Sequence, residues 1–383
     1  MRLDSQQVSV KSVLLNRGGY SYLTGPAVPG KEKQEAAPAP GGSTPSLPWT
    51  VRVGSVVLTG NRAEYGLLNH RPAAGFDPSF IVLSTLDLVV DSIYNRGADI
   101  ALQIRRMAFT ERSGLTVSDM TGDIGMDASG ISLAGVTLKT PFSRIEANIS
   151  AGEGILALAP DSPLKAVLTA DVNTKDLKYL YPALIPPVLD GRIVSLALTA
   201  AGTLGDIGKA GLDISSPGHV AFTADGAARN VLDPGRMEAS ARFEGDFRDM
   251  AFLEALLPDS ALRRRIAIPD RIWLHGTAGA DKGAFSAAST LSADGGEIAL
   301  QGRLDTRSEA YGIELRCDSF PLNRFLPADS LGLLDLALQA GGSGFDPLRA
   351  QTRGNIRLQV NRAEFRGRDF GGVELNANLE EGQ

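Results

Sequence analysis

The side chains that most often carry out catalysis or bind metals are few and widely separated in this sequence. The three histidines, His70, His219 and His275, lie in different predicted strands or turns and lack the spacing of a metal site. No Gly-x-Ser-x-Gly turn or paired-carboxylate arrangement stands out. The single cysteine, Cys317, lies in a predicted strand, which indicates a buried and unreactive thiol. We therefore predict no enzymatic activity, no metal and no cofactor.

Composition and charge narrow the possible partners. The chain has 383 residues, of which 43% are hydrophobic, and its 43 glycines and 21 prolines are typical of a folded protein with many turns. Its formal net charge of −6 argues against a nucleic-acid partner, because such binding depends on basic patches. No run approaches the roughly 20 apolar residues of a membrane-spanning helix. The first residues alternate like a strand rather than a signal peptide, and the last residues do the same, so we expect a piece of a longer protein.

Alternating apolar and polar residues recur along almost the whole chain. They predict about 20 β-strands of about five to nine residues, separated by Gly, Asn and Asp turns. The apolar sides of five of these strands carry Val194, Leu196 and Leu198; Ile313, Leu315 and Cys317; Leu334, Leu336 and Leu338; Ile356, Leu358 and Val360; and Val373, Leu375, Ala377 and Leu379. Because successive side chains of a strand point to opposite faces, these strands predict a sheet with one apolar and one polar face.

Short segments with helical spacing interrupt the strands at regular distances. They lie near residues 175–189, 248–265 and 321–331. Their central leucines, Leu180, Leu253 and Leu326, are 73 residues apart, and each segment leads through a proline into a strand. This order predicts an internal repeat of about 70 residues. Each segment is either an ordinary connection that happens to be helical, or a helix that lies over the apolar face or caps an end of the sheet.

The segment 25–48 differs from the rest of the chain. It is rich in Pro, Gly and Ala and has almost no large apolar residue, so we predict a disordered loop. Strand patterns precede and follow it directly, which indicates that it interrupts a sheet rather than divides two domains. The predicted organisation is a first set of strands in 1–24, the loop in 25–48, and one elongated repeat sheet in 49–383.

A sheet of this size has to cover its apolar face. Helices, the sheet itself or a ligand could do so, and the predicted helices are too few. A sheet that closes on itself as a sandwich or barrel fits the pattern, and so does a curled sheet whose apolar trough holds acyl chains.

Three sequence motifs are V-x-V-x-x-V-x-L followed by Tyr65 in 51–65, FTERSGL in 109–115, and a L-x-L-x-T-P-x-S-x-I pattern in 136–145, where Val136 replaces the first leucine. These motifs resemble the AsmA-like superfamily, and more narrowly the TamB-type translocation and assembly proteins. The segments "DLKYLYPAL", "DGRIVSLALTAAGTL" and "FPLNRFLPADSLGLLDLALQAGGSGFDP" also resemble AsmA-type repeats. The resemblance covers most of residues 50–380.

The resemblance implies a mainly β fold, an elongated and curled antiparallel β-sheet groove with a few short helical insertions in repeats of about 70 residues. It implies a protein of the Gram-negative periplasm that is anchored in the inner membrane and carries phospholipids, with an outer-membrane barrel as partner. The family's N-terminal anchor and C-terminal domain are missing here, so these contacts would be made through regions outside this sequence. The predicted groove residues are Ile131, Leu133, Val194, Leu196, Leu198, Ile313, Leu315, Leu334, Leu336, Leu338, Ile356, Leu358, Val360, Val373 and Leu375.

Three functions are compatible with strands that have one apolar and one polar side. The first is a lipid conduit that carries acyl chains between the inner and outer membranes and contributes to outer-membrane biogenesis. The second is an assembly factor that pairs its strands with unfolded outer-membrane proteins. The third is a structural spacer whose sheet closes on itself. The resemblance favours the first.

Overall fold

The structure is a computed structural model, and it describes residues 7–24, 49–68, 70–152, 159–182, 185–257, 262, 265–327, 329–344, 346 and 351–379. The predicted disordered loop 25–48 lies outside the described residues. None of the helices among those described has the length and apolar character needed to cross a membrane.

Among the described residues the fold is mainly β, with 70% strand and 6% helix, and their 21 strands form one mixed sheet that is not closed. The predicted fold class is therefore confirmed. The first strands are β1 (Gln7–Asn16), β2 (Gly19–Thr24), β3 (Thr50–Leu67), β4 (Phe80–Arg96), β5 (Asp99–Glu111), β6 (Thr116–Asp127), β7 (Gly130–Lys139), β8 (Arg144–Gly152), β9 (Pro163–Asn173) and β10 (Ile193–Thr203). The others are β11 (Asp206–Ser216), β12 (Val220–Arg229), β13 (Glu238–Arg248), β14 (Arg271–Asp281), β15 (Ala284–Ala293), β16 (Gly296–Asp305), β17 (Ala310–Pro321), β18 (Leu331–Ser343), β19 (Arg353–Phe365), β20 (Arg368–Phe370) and β21 (Val373–Leu379).

Two compact units divide the chain, residues 1–196 and 197–383. In the first unit, each strand from β3 to β9 pairs antiparallel with the next strand in the chain. In the second unit, β11 to β19 follow the same order, and β20 and β21 both pair with β19. Strands β3 to β9 and strands β11 to β19 thus each form a meander, in which neighbours in sequence are neighbours in the sheet.

The first two strands depart from the predicted antiparallel order. Both β1 and β2 pair with β3, and both run parallel to it. Parallel neighbours need a long connection that returns the chain to the starting end of the sheet. The segment between Thr24 and Thr50 has that length, whereas the turns between later strands do not. The strand pattern alone carried no information on this direction.

A buried asparagine joins β1 and β2 to the sheet. Asn61, in β3, is only 1% exposed. Its side-chain carbonyl accepts a hydrogen bond from the Gly18 amide at 2.8 Å, and its amide group donates to the Leu15 carbonyl at 3.1 Å. Strands β1 and β2 together form the edge strand, which is interrupted between Asn16 and Gly19. The two bonds give hydrogen-bond partners to backbone groups at this interruption, which a regular strand ladder leaves unpaired.

We expect Asn61→Ala to loosen the edge strand without unfolding the rest of the first unit. Loss of a buried hydrogen-bonding side chain costs about 1–3 kcal/mol, because backbone groups remain unsatisfied. Hydrogen exchange measured by mass spectrometry should become at least about tenfold faster in residues 7–24 and stay unchanged in β5 to β9. Asn355→Ala, at an exposed position of β19, is the control. Unchanged exchange in 7–24 would show that Asn61 does not hold this strand.

The first helical insertion packs at the ends of strands, not over a sheet face. Helix α1 (Thr174–Leu180) follows β9, and a short 3₁₀ turn, Pro187–Leu189, precedes β10. The Asn173 side chain caps α1 by accepting a hydrogen bond from the Lys175 amide at 3.0 Å. The Ser143 hydroxyl, in the turn between β7 and β8, donates to the buried Asp176 carboxylate. Helix α1 therefore ties together neighbouring strand ends.

The other two insertions occupy the equivalent position in the second unit. They are the 3₁₀ segment Met250–Leu256 and helix α2 (Leu322–Phe325). The Phe252 ring packs edge-on against His219, in the turn between β11 and β12, with ring centroids 5.3 Å apart. The Phe325 ring stacks on Phe320 at 4.9 Å. The described parts of all three insertions thus pack at strand ends and also connect consecutive strands. Residues 183–184, 258–261, 263–264 and 328 of the predicted segments lie outside the described residues.

We call the strand ends at which the helical insertions pack the helical rim. In the first unit, a loop before β4 also lies at this rim. Phe76 donates a backbone hydrogen bond to the Leu180 carbonyl of α1 at 3.0 Å. The buried Asp77 carboxylate accepts bonds from the amides of Ala73 and Ser79 and contacts His70 at 2.7 Å. The Ala73 amide, followed by the His70 side chain, lowers the pKa of Asp77 from 3.8 to about 2. The charged carboxylate is thus the form that holds the loop.

We expect this loop to open in acid. Since the folded pKa of Asp77 is lowered, its stabilising effect is complete above about pH 4 and is lost as the pH falls towards 2. Hydrogen exchange at Phe76, corrected for intrinsic rates, should therefore accelerate between pH 4 and pH 2. Asp77→Asn should exchange fast throughout, whereas Asp123→Asn, at an exposed position of β6, should behave like the parent protein. A flat profile in the parent would contradict this role.

Candidate functional site

Most of the predicted groove residues meet on one face of the second unit. Leu300, Leu315, Leu338, Leu358 and Leu375 lie directly opposite one another across five strands, β16, β17, β18, β19 and β21. Directly opposed residues of an antiparallel pair point to the same side of the sheet. These five leucines, the leucine row, are therefore one uninterrupted apolar line across the strands.

Further rows run beside the leucine row. On one side lie Ile298, Cys317, Leu336, Val360 and Val373. On the other side lie Gly302, Ile313, Ala340, Ile356 and Ala377. Leu334 lies between Phe320 and Ala363, close to the helical rim. All ten predicted groove residues of β17 to β21 thus share one surface, which we name the apolar face.

The reverse side of the same strands is polar. One row there consists of Gln301, Glu314, Gln339, Arg357 and Asn376, and these residues are exposed. A depression of about 410 Å³ on this side has a mixed lining that includes Arg303, Glu314 and Gln339. The sheet therefore separates apolar from charged side chains across a single layer of backbone.

The apolar face continues into strands that the sequence analysis did not assign to it. The leucine row extends through Ser289, Gly276, Phe243 and Ala224 to Leu212 in β11. Beside it lies a shallow cavity of about 360 Å³, lined by Ile207 and by Ala and Gly residues of β11 to β14, with Ser240 as the polar exception. On the apolar face, β11 to β14 carry mainly alanine and glycine, which weaken the alternation of apolar and polar residues. The sequence of these strands therefore gave no clear apolar side.

No described element buries the predicted residues of the apolar face. Leu315, Leu334, Leu336, Leu338, Leu358 and Val360 are half-buried. Ile313 is 44% exposed, Val373 52% and Leu375 50%. Among the described residues of the second unit, the buried apolar side chains are Ala293, Cys317 and Phe320, together with Pro269 and Pro321. Contiguous apolar surface of this kind in a folded protein usually marks a binding surface.

The first unit has a similar face around the two predicted residues of β7. Leu133 lies between Ile124 and Ile149 of the neighbouring strands. Ile131 lies between Met126 and Ala151, and both predicted residues are half-buried. A denser core lies nearer to β3 and the rim, with Val82, Leu86, Val90, Ile104 and Val117 buried.

The three predicted residues of β10 occupy alternate positions of that strand. Val194 and Leu196 are half-buried, and Leu198 is 38% exposed. Since alternate residues of a strand share a face, the three side chains lie on one side of β10.

A cluster of ion pairs lies near the end of β13 and the start of β14. Asp246 pairs with Arg248 and Arg271, and these two guanidinium groups lower the pKa of its carboxyl to about 2. No group of three His, Cys, Asp or Glu side chains that could hold a metal occurs among the described residues.

Comparison with family models, with curated proteins and with solved structures finds no match for this chain. The resemblance to the AsmA-like superfamily therefore stays a prediction, and the case for function depends on the apolar face itself.

Cys317 gives a direct probe of the apolar face. It is 6% exposed, between Ile298 and Leu336, and burial together with the Asp335 charge raises the pKa of its thiol. Both effects reduce the reactive thiolate. We expect 5,5′-dithiobis(2-nitrobenzoate) at pH 8 to label it at least about tenfold more slowly than in urea.

The matched control moves the thiol to the other side of the sheet. In Cys317→Ser/Ser286→Cys, the new thiol lies at an exposed position of the polar side and should react at nearly the unfolded rate. Equal rates for the two positions in the folded protein would contradict the sidedness of the sheet.

Proposed function

We propose that this protein is a lipid conduit of the Gram-negative periplasm, which binds phospholipid acyl chains on its apolar face and carries them between the inner and outer membranes. In this role it contributes to outer-membrane biogenesis. The observation that carries the proposal is the apolar face, a continuous set of cross-strand rows whose ten predicted groove residues are all half-buried or exposed. The resemblance to TamB-type proteins supports the same role.

The energetics of acyl-chain binding suit such a face. Each methylene removed from water contributes about 0.8 kcal/mol, so a single chain of ordinary length gains several kcal/mol even when half its surface stays wet. The leucine row alone crosses five strands, and with strands about 4.8 Å apart it measures about 19 Å. This length is of the order of an extended acyl chain.

The chemistry of the rows also suits movement along them. Contacts between methylenes and Leu, Ile, Val or Ala side chains are non-directional, so a chain can shift from one strand to the next without breaking a specific bond. Such a carrier needs no nucleophile, acid or base. Most polar side chains lie on the reverse side of the sheet and at the strand ends, where they contact water.

A second candidate function is the assembly of outer-membrane β-barrel proteins by strand pairing. One observation favours it. Among the described residues no strand pairs with the outer side of β21, whose side chains from Val373 to Asn378 are exposed. A strand with free amides and carbonyls can accept another strand. A structural spacer has less support, because it would need its apolar face filled from within.

The test is the lipid content of the purified chain. We expect phospholipid to co-purify from a Gram-negative envelope in mild detergent and to be detected by native mass spectrometry with lipid extraction. Leu336→Asp/Leu358→Asp should lower the bound lipid at least about tenfold, because a carboxylate against an acyl chain costs well over 1.4 kcal/mol.

The matched control introduces the same two carboxylates on the polar side of the sheet. Gln339→Asp/Gln359→Asp alters two exposed residues of the polar face, one position away from the leucine and valine rows, and should retain its lipid. A folded parent protein free of lipid, or equal losses in both variants, would refute the conduit and leave strand pairing as the better proposal.

A further inference from the structure

The apolar face ends at the helical rim in a hairpin that combines aromatic and basic residues. Strands β19 and β20 are joined by a two-residue turn, Arg366-Gly367, with φ of 51° and 71°. Phe365 and Phe370 flank this turn and are 40% and 51% exposed. We name residues 365–370 the rim hairpin.

The register connects the rim hairpin to the apolar face. Phe370 lies opposite Ala363, which lies opposite Leu334, so its ring extends an apolar row. One step further out, Arg368 lies opposite Phe365 and therefore on the same side of the sheet. The apolar surface thus ends in two phenyl rings and is followed directly by a guanidinium group.

Arg366 adds a second cation at the same place. Its guanidinium carbon lies 5.2 Å from the centroid of the Phe365 ring, which holds the side chain beside the end of the face. Arginine is an unusual residue for a left-handed turn position, where Asn, Asp or Gly are preferred. The turn geometry itself therefore does not explain an arginine here.

The carboxylates around the rim hairpin form ion pairs or hydrogen bonds with other groups. Asp369 pairs with Arg362 at 3.0 Å, and Asp329 pairs with Arg265 at 3.0 Å. The Glu364 carboxylate accepts a hydrogen bond from the Leu333 amide. Among the described residues, no carboxylate forms an ion pair with Arg366 or Arg368. Two cations without a counter-ion, in a chain with a net charge of −6, are the complement of an anionic group.

The geometry points to a headgroup site, in which Arg366 and Arg368 bind the phosphate of a lipid whose acyl chains lie on the apolar face. The inference rests on the proposed function and adds to it the residues that bind the phosphate of the headgroup. Guanidinium groups suit this task because their planar donors match phosphate oxygens two at a time. The phenyl rings cover the glycerol end of the acyl chains, where the apolar surface meets water.

The test compares two lipids with identical acyl chains. Dioleoylphosphatidylglycerol and dioleoylglycerol, which lacks the phosphate, are offered together in equal amounts to the full chain in detergent, and native mass spectrometry gives the ratio bound. We expect the parent protein to prefer the phosphate lipid by about tenfold, since two charge-assisted contacts exist only in that complex. Arg366→Asn/Arg368→Gln should bring the ratio close to one, with binding of dioleoylglycerol unchanged.

The variants are chosen so that folding does not decide the result. Asparagine is a favoured residue at the left-handed turn position, so Arg366→Asn preserves the hairpin. Arg236→Gln/Arg353→Gln removes two exposed arginines from the opposite ends of the strands and should keep the tenfold preference. A preference lost equally in that control would mean a general effect of charge and would overturn the assignment.

The remaining outcomes separate this inference from the proposed function. Binding of both lipids without preference would overturn the headgroup site alone. Absence of both lipids would overturn the conduit and the headgroup site together. An excess of inorganic phosphate should leave the preference intact, because the acyl chains hold the lipid phosphate in place. If free phosphate abolishes it, the arginines bind a soluble anion and the lipid assignment is wrong.

Discussion

Cross-strand register is the constraint on which the rest of this structure depends. A strand turns every second side chain to the same side, but only the pairing of neighbouring strands decides whether those sides agree. In the second unit they agree from β11 to β21, so that Leu315, Leu338 and Leu358 meet in one row. A slip of one residue in any pair would place charged residues such as Arg357 among the leucines. The apolar face exists because no such slip occurs.

Irregularities in the strands preserve this register. The pairing of β17 with β18 shifts between Cys317 and Phe320, where Ser319 adopts a φ of 46°. The extra residue keeps Phe320 on the side of Leu334 and Leu336 although it breaks the alternation. Short helical insertions act at the same end of the strands. They satisfy backbone and side-chain groups there, and α2 covers only the end of the apolar face, where Phe325 stacks on Phe320.

The separation of apolar and polar side chains onto opposite sides of the sheet links the fold to the proposed function. A compact protein hides its apolar side chains in a core, whereas the second unit keeps most of its apolar residues half-buried on a single layer of strands. Such a surface is stable in water only with a partner or with many polar residues nearby. The proposed phospholipid ligand would complement both features, its acyl chains matching the apolar rows and its phosphate matching the arginines of the rim hairpin.

The alternation in the sequence determined the mainly β class, the apolar sides of β17 to β21 and the positions of the helical insertions, because all three depend on residues close together in the chain. The repeat of about 70 residues stays a prediction. Tertiary structure decided the parallel pairing of β1 and β2 with β3, since a strand pattern does not encode the direction of a distant partner. It also brought the Ala- and Gly-rich strands β11 to β14 into the apolar face, and set Arg368 at the end of that face. These features depend on register between strands, which is fixed by bulges and turns across the whole sheet and not by any one segment.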